Sequence, residues 1–305
     1  MIAGGDGTIC SVMNYVKTIP QWKDHNPPFA VIPLGTGNDL SRSLGWGGSI
    51  EDVNASDLLQ ECQALGRQEL LDRWKLRIVS GDVEREFTVY NYIGIGLDAK
   101  ICRDFHELRE KYPQLFFSQF SNKLIYTQLG TVDLFKSDEK DLDLSSFLEM
   151  SVDGKEVSIA DYENIIFLNI EHWGGGVSGL WREGEEWARA SGSDGLLEIV
   201  GLTDVVHMGQ VQVGMDEPNQ VAQGRRIEIT SKAPRRIVPI QLDGEPVELV
   251  TPFRLEIERK DQIDVLATTP TDSGKIVSLL KKGLKEGVIS QEQYGDLVEL
   301  SRKQQ

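Results

Sequence analysis

The chain has 305 residues, 40% hydrophobic and 26% charged, with 48 acidic against 32 basic side chains and a net charge of −16. That composition suits one long or two ordinary globular domains and excludes wholesale disorder. The acidic surplus excludes a general electrostatic grip on nucleic acid or on anionic membranes, leaving that task to a local basic patch.

Cys10, Cys62 and Cys102 are far apart and read as reduced thiols of a cytoplasmic protein. No apolar run of about 18 residues is present to span a membrane. The N-terminus lacks the pattern of a signal peptide, and Cys and His do not fall in zinc spacing.

The chain opens on MIAGGDGTIC, in which Gly4-Gly5-Asp6-Gly7-Thr8 has the form of a phosphate loop. Glycines let backbone N–H groups approach a phosphate, and a following helix points its positive end at it. An aspartate in the middle repels the ligand unless a Mg²⁺ ion lies between them or the carboxylate helps to activate a hydroxyl. The plainer reading is a tight Gly-Asp-Gly turn. From Thr8, the positions Ile9, Val12, Met13, Val16 and Ile19 recur at helical spacing, and Pro20 stops them.

A short apolar strand is predicted from Phe29 to Ile32. The loop Leu34-Gly35-Thr36-Gly37-Asn38-Asp39 then repeats the first design and starts a helix near Asn38 or Asp39. Two such loops at successive strand ends would lie side by side on one sheet edge, where open α/β sheets bind ligands. A nucleotide site is the expectation, with two unrelated turns as the alternative.

Residues 49–66 read as a helix closed by Gly66, and the following segment as strands around a Gly81-Asp82 turn. Residues 101–135 read as mostly helical, punctuated by Pro113 and Gly130. Residues 147–268 are strand-rich, with a hairpin turning at Asp153-Gly154. TTPTDSGK is a linker. The tail is predicted as two short helices turning near Gly287, with a Ser290-x-x-Gln293 capping signal.

GGDGT followed by PLGTGNDLSRSLGWGG resembles the catalytic domain of eukaryotic-type diacylglycerol kinases. YIGIGLDAKICRDFHELREKYP, NIIFLNIEHWGGGVSGLW, SDGLLEIVGLTDVVHMGQVQ, VAQGRRIEIT and PIQLDGEPVE resemble that family's accessory domain, in order, so the likeness runs over residues 1–268. It implies an incomplete three-layer α/β nucleotide-binding domain (1–70), a β-rich sandwich-like accessory domain (71–268), and a linker with a short helical tail (269–305).

It also implies transfer of the ATP γ-phosphoryl group to the hydroxyl of diacylglycerol, giving phosphatidic acid, with Mg²⁺ as cofactor and peripheral contact with a membrane. By motif, Asp6 is implied for Mg·ATP and the γ-phosphate. Gly4, Gly5, Gly7, Thr8, Gly35, Thr36, Gly37 and Asn38 are implied around the phosphates, and Asp39 in the metal–water network. Asp98 and Glu245 resemble a carboxylate pair that receives the hydroxyl proton, and Asp194 resembles a position near a structural Mg²⁺. Glu245 also reads as the mere exit of an Asp-Gly turn, and Asp194 as a solvated loop residue.

The family's catalytic domain usually begins upstream with a strand and an Asn-Pro-x-Ser-Gly loop, so a truncated, non-catalytic lipid-binding fragment is one alternative expectation. A sphingosine or ceramide kinase, which shares the Gly-Asp-Gly loop, is another. His106, with Arg103, Arg109 and Lys123, reads as a solvated helix face or a phosphate-reaching group. His172, Trp173 and Trp181 read as core or as a lipid-side wall. Arg225, Arg226, Lys232, Arg235 and Arg236 form the densest basic stretch, either strand-end charges or an anionic-lipid contact.

Overall fold

The structure is a computed structural model and describes residues 1–23, 27–49, 59, 62–63, 66–115, 143–231, 235–268, 283–284, 287–288, 290–294 and 297. The N-terminal unit runs β1 (Ile2–Gly4), α1 (Asp6–Thr18), α2 (Pro20–Lys23), β2 (Val31–Pro33) and α3 (Asp39–Ser43). β1 and β2 pair in parallel with Gly4 opposite Pro33, so both glycine loops leave the same end of the ribbon. Ile9, Cys10 and Met13 form the buried face of α1, and Ile19 leaves it in an extended conformation ahead of Pro20.

The second unit is built on β3 (Arg67–Ser80), β4 (Val83–Val89), β5 (Tyr92–Gly96), α4 (Leu97–Lys111), β6 (Leu148–Val152), β7 (Lys155–Val157), β8 (Asn164–Leu168) and β9 (Leu197–Leu202). It continues through α5 (Val205–Gln212), β10 (Asn219–Gly224), β11 (Arg226–Ser231), β12 (Ile237–Leu242), β13 (Glu245–Val250) and β14 (Arg254–Ala267). These strands form two sheets of six, ordered β10-β9-β8-β5-β12-β13 and β4-β3-β14-β11-β6-β7.

Alternate residues of each sheet face the other. Ile93, Ile95, Ile165, Phe167, Ile199 and Ile240 from the first meet Trp74, Leu76, Ile78, Ile229, Leu255 and Ile257 from the second in one apolar core, making a sandwich. β8 is buried along its whole length. Its intervening residues, Ile166 and Leu168, turn outward into a second apolar cluster with Leu97, Ile101 and the N-terminal unit.

β14 joins the two units. Its first half pairs in the sandwich, while Phe29 N–H donates to Asp264 O and Leu266 N–H to Phe29 O, both at 2.9 Å. Ile263, Val265 and Ala267 thereby pack with Ile9, Met13 and Phe29. The division expected near residue 70 falls inside β3.

The turns at Asp153-Gly154 and Asp243-Gly244 both place two residues at positive φ (50° and 78°; 52° and 82°), the backbone that Asp-Gly hairpins favour. In the tail, Gln293 N–H donates to Ser290 Oγ (3.1 Å) and Ser290 N–H to Gln293 Oε1 (2.8 Å), a reciprocal capping box. The expected helix over residues 49–66 is described at 59, 62 and 63, all helical. The helical stretch beyond Leu115, Lys123, Lys232 and the linker from residue 269 lie outside the described residues. α5 and β10 were not expected. α5 is short and valine-rich and starts on Asp204, whose Oδ1 accepts from Val206 and His207 N–H.

The Asp243 carboxylate, buried at the β12–β13 turn, accepts from the backbone N–H groups of Tyr90 (3.0 Å), Asn91 (2.7 Å) and Tyr92 (3.3 Å). It also accepts from the Cys10 thiol of α1. Asp243→Ala leaves these donors unpaired in the interior and is expected to cost about 2–4 kcal/mol. The measurement is a lower urea midpoint with an unchanged slope.

Candidate active site

The two glycine loops touch backbone to backbone. A Cβ on Gly35 would run into the Gly5 Cα, and a Cβ on Gly5 would sit 3.0 Å from the Gly35 Cα. Only glycine at both positions lets the loops approach this closely. Thr8 packs over Gly4, where a Cβ would lie 2.7 Å from the Thr8 Cβ. Asn38 shapes the second loop: it stands at φ 57°, its Oδ1 accepts from Gly35 N–H (2.8 Å), and its Nδ2 donates to Gly35 O (2.8 Å) and Gly48 O (2.9 Å). With its amide committed to these bonds, Asn38 holds the loop, where the resemblance had implied a donor to phosphate.

Asp6, the first residue of α1, accepts from the backbone N–H groups of Asp39 (3.1 Å) and Leu40 (3.0 Å), so it caps the next helix, α3. Asp39 is buried and accepts from Tyr92 Oη (2.9 Å) and from Gly175 N–H, the latter 3.1 Å from both carboxylate oxygens. The second unit thus supplies the partners of Asp39. Burial, with the charge of Asp39 added, pushes the Asp6 carboxyl up to about 6. Burial also raises Asp39, while the bonds from Gly175 and Tyr92 and the Arg42 charge draw it back.

Asp98, in the first turn of α4, is only 3% exposed and lies against β5, where a Cβ on Gly94 would be 2.7 Å from its Cγ. Gln241 Nε2 donates to Asp98 Oδ2 (3.2 Å), and Gln241 Oε1 accepts from Gly244 N–H (2.9 Å). Glu245 follows that turn with a side chain 55% exposed; its Oε2 is 3.7 Å from His106 Nδ1. A Cβ on Gly7 would sit 2.6 Å from Glu245 Oε1, so the hairpin lays this carboxylate on the first glycine loop. Asp98 and Glu245 are therefore joined through Gln241 without bonding each other. Between them Cys102 donates to Gly244 O (3.0 Å), and burial with the two carboxylate charges pushes its thiol up to about 12.

Asp194 has other neighbours. It accepts from Leu196 N–H (2.9 Å), and Asp72 and Arg225 are the charges nearest it. Asp72 is fully buried, accepting from Gly195 N–H (2.7 Å) and Arg259 Nε (2.6 Å). Among the described residues, no three His, Cys, Asp or Glu side chains are grouped to hold a metal by themselves.

Arg103 pairs with Asp104, Glu107 and Glu248, a solvated helix face. His172 Nδ1 lies 3.0 Å from Ser43 Oγ, and Trp173 is core. Trp181 packs edge-on against Trp187 and lines a cleft of about 170 Å³ together with Glu198 and Arg189. Arg236 lies over the Phe147 ring at 4.5 Å. The roles of Tyr92 and Gln241 escape sequence reasoning; Gly175 was legible only as part of a glycine run beside Trp173, and Asp243 only as an Asp-Gly turn beside Glu245.

Residues 1–67 match the family model described as the diacylglycerol kinase catalytic domain, and residues 88–246 the diacylglycerol kinase accessory domain. Diacylglycerol kinase 2 of Arabidopsis thaliana is 37% identical over 280 residues, covering 87% of this chain and 38% of the relative. Diacylglycerol kinase theta of Homo sapiens is 34% identical over 264 residues, covering 81% of this chain and 27% of the relative. The chain thus spans well under half the length of these relatives. A crystal structure of a diacylglycerol kinase from Bacillus anthracis str. Sterne superposes with a TM-score of 0.50 at 18% identity, covering 88% of this chain and 75% of that one, a likeness of fold.

Burial moves the Asp98 carboxyl from 3.8 up to about 6, against hydrogen bonds that pull it down. The folded chain therefore holds this proton more tightly than the unfolded chain does. The contribution to stability is full below about pH 4 and is lost as pH rises through about 6. Asp98→Asn cannot ionise. Its thermal midpoint is expected to exceed that of the wild type near neutral pH, with the gain gone below about pH 4.

Proposed function

The chain belongs to the diacylglycerol kinase family, and from that premise we propose that it transfers the γ-phosphoryl group of ATP to the free hydroxyl of diacylglycerol, giving phosphatidate. The observation that carries the reading is Glu245 Oε1, placed 2.6 Å from the Cβ position of Gly7 by a hairpin of the second unit. A carboxylate more than half exposed beside a phosphate-type loop is where a base for the acceptor hydroxyl is needed.

In this reading Gly4, Gly5, Gly7, Thr8, Gly35, Thr36 and Gly37 surround the triphosphate, with the N-terminus of α1 aimed at it. Glu245 accepts the proton of the attacking hydroxyl as the new O–P bond forms and ADP departs. Asp98 acts through Gln241, which fixes the turn from which Glu245 projects, so Asp98 is a positioning residue.

Mg²⁺ is the metal implied, and Asp6 and Asp39 fit it: their Oδ2 atoms both lie 3.4 Å from the Cβ position of Gly37, and burial drives both carboxyls up. A divalent cation would supply charge neutralisation for the phosphates and for this acid pair, with phosphate oxygens and water completing its shell. Asp194 lies among other charges and has no part in this reading. No described helix is long and apolar enough to cross a membrane, so diacylglycerol is proposed to be taken from a membrane surface.

The test is incubation with labelled ATP, Mg²⁺ and mixed micelles of diacylglycerol, sphingosine or ceramide. Labelled phosphatidate from the wild type is expected. Glu245→Gln should reduce the rate about 10²–10⁴-fold with little change in the KM for ATP, and Asp6→Asn should remove activity. Equal product from wild type and Asp6→Asn overturns the reading, and label on sphingosine alone changes the acceptor.

A further inference from the structure

Arg42 is the only lysine or arginine between Lys23 and Arg67, and neither glycine loop carries a basic residue. Triphosphate loops of the Walker type place a lysine on the terminal phosphates. Here the loops carry two carboxylates, the partly buried Asp6 and the buried Asp39, on a chain of net charge −16. A ligand as anionic as ATP needs cationic charge at the loops as well as any metal it brings.

Arg42 leaves the last turn of α3 half buried. Its Nε donates to Gly37 O (3.1 Å), the carbonyl inside the second loop. The guanidinium is laid between two further glycine backbones: a Cβ on Gly48 would run into Nη2 and Cζ, and a Cβ on Gly176 would come within 3.0 Å of Cζ and Nη1. Gly176 stands at φ 120°, a backbone that suits glycine. Among the described residues Arg42 joins no ion pair and its Nη groups donate to no protein acceptor. Arg73, Arg103 and Arg259, by contrast, are paired with Asp261, Asp104 and Asp72. The side chain is therefore fixed by one backbone bond and by glycine-shaped space on either side of the guanidinium.

We infer that Arg42 binds the phosphate chain of the nucleotide, its Nη groups donating in parallel to phosphate oxygens, and that Gly48 and Gly176 are glycine to admit the guanidinium. The inference rests on the kinase reading above. A planar fork of donors suits a phosphate and is not replaced by lysine. Phosphatidate carries the same phosphate chemistry, and the experiment separates the two sources.

Binding of Mg·ATP, of adenosine and of a short-chain phosphatidate to the whole chain is measured by calorimetry. Arg42→Gln is expected to weaken Mg·ATP about 10- to 100-fold while leaving adenosine unchanged, and Arg42→Lys to fall between. Gly48→Ala would run into the guanidinium and force it out of its place. It should weaken Mg·ATP in the wild type but add nothing in the Arg42→Gln background, and thermal midpoints should show all variants folded. Unchanged Mg·ATP affinity in Arg42→Gln overturns the proposal. So do an equal loss for adenosine, which marks a structural role, and a loss confined to phosphatidate. A wild-type chain that binds no Mg·ATP overturns the kinase reading and this inference with it.

Discussion

The geometry of the site depends on one buried carboxylate that takes no part in the proposed chemistry. Asp243 gathers the N–H groups of Tyr90, Asn91 and Tyr92 and the thiol of Cys10 at the turn between β12 and β13. Three of these bonds tie the turn to the start of β5, and the fourth ties it to α1 of the N-terminal unit. With the turn pinned, Glu245 projects over Gly7, and Tyr92 reaches Asp39. Asn169 reinforces the same junction by donating to Tyr90 O (2.6 Å) and Asp72 O (2.9 Å). Buried polar groups that are fully bonded fix one arrangement among several an apolar core would tolerate.

The cost of this arrangement is charge held out of water. Asp6, Asp98 and Asp243 each have a carboxyl raised to about 6, with burial the leading cause in every case. A fold selected for stability alone would not concentrate ionisable groups in this way. Asp98 Oδ1, Ser41 Oγ, Asn164 Nδ2 and both polar atoms of the Asn91 amide are buried without a protein partner, so the polar accounting stays open at the site and at the strand ends beside it. Asp72 is the contrasting case: an equally buried acid, paired with Arg259 and a backbone N–H, that reads as structural.

Features written in short stretches were legible in the sequence, and features made by distant pairing were not. The glycine loops, the Asp-Gly hairpin turns, the stop at Pro20 and the Ser290–Gln293 box each depend on a few adjacent residues, and each is present. The strand-rich character was legible in the sequence and the sandwich came from the resemblance, but the strand order was not legible: β5 sits between β8 and β12, partners far along the chain. β10 reads NQVAQG, too polar for a strand signal, and is held by pairing with β9. The acids Asp98 and Glu245 were legible as residues, but their link through Gln241 was not, because Gln241 carries no pattern of its own. Asp194 was grouped with the metal ligands by resemblance, and its neighbours are Asp72 and Arg225.

A division of labour between the units follows from these contacts. The N-terminal unit offers two glycine loops, a helix start, and the Asp6 carboxylate, which also accepts from the first N–H groups of α3. The side chains that meet those loops come from the second unit, with Tyr92 and Gly175 on Asp39, Glu245 on Gly7, and His172 on Ser43. β14 then returns to pair with Phe29, so the two units share a strand as well as a site. The two loops meet backbone to backbone, so Gly5 and Gly35 must be glycine, whereas the second unit meets them largely through side chains. The 172–176 loop and the 243–245 turn are therefore tied to the glycine loops beneath them, because Gly175 N–H holds Asp39 and the Asp243 turn carries Glu245 onto Gly7.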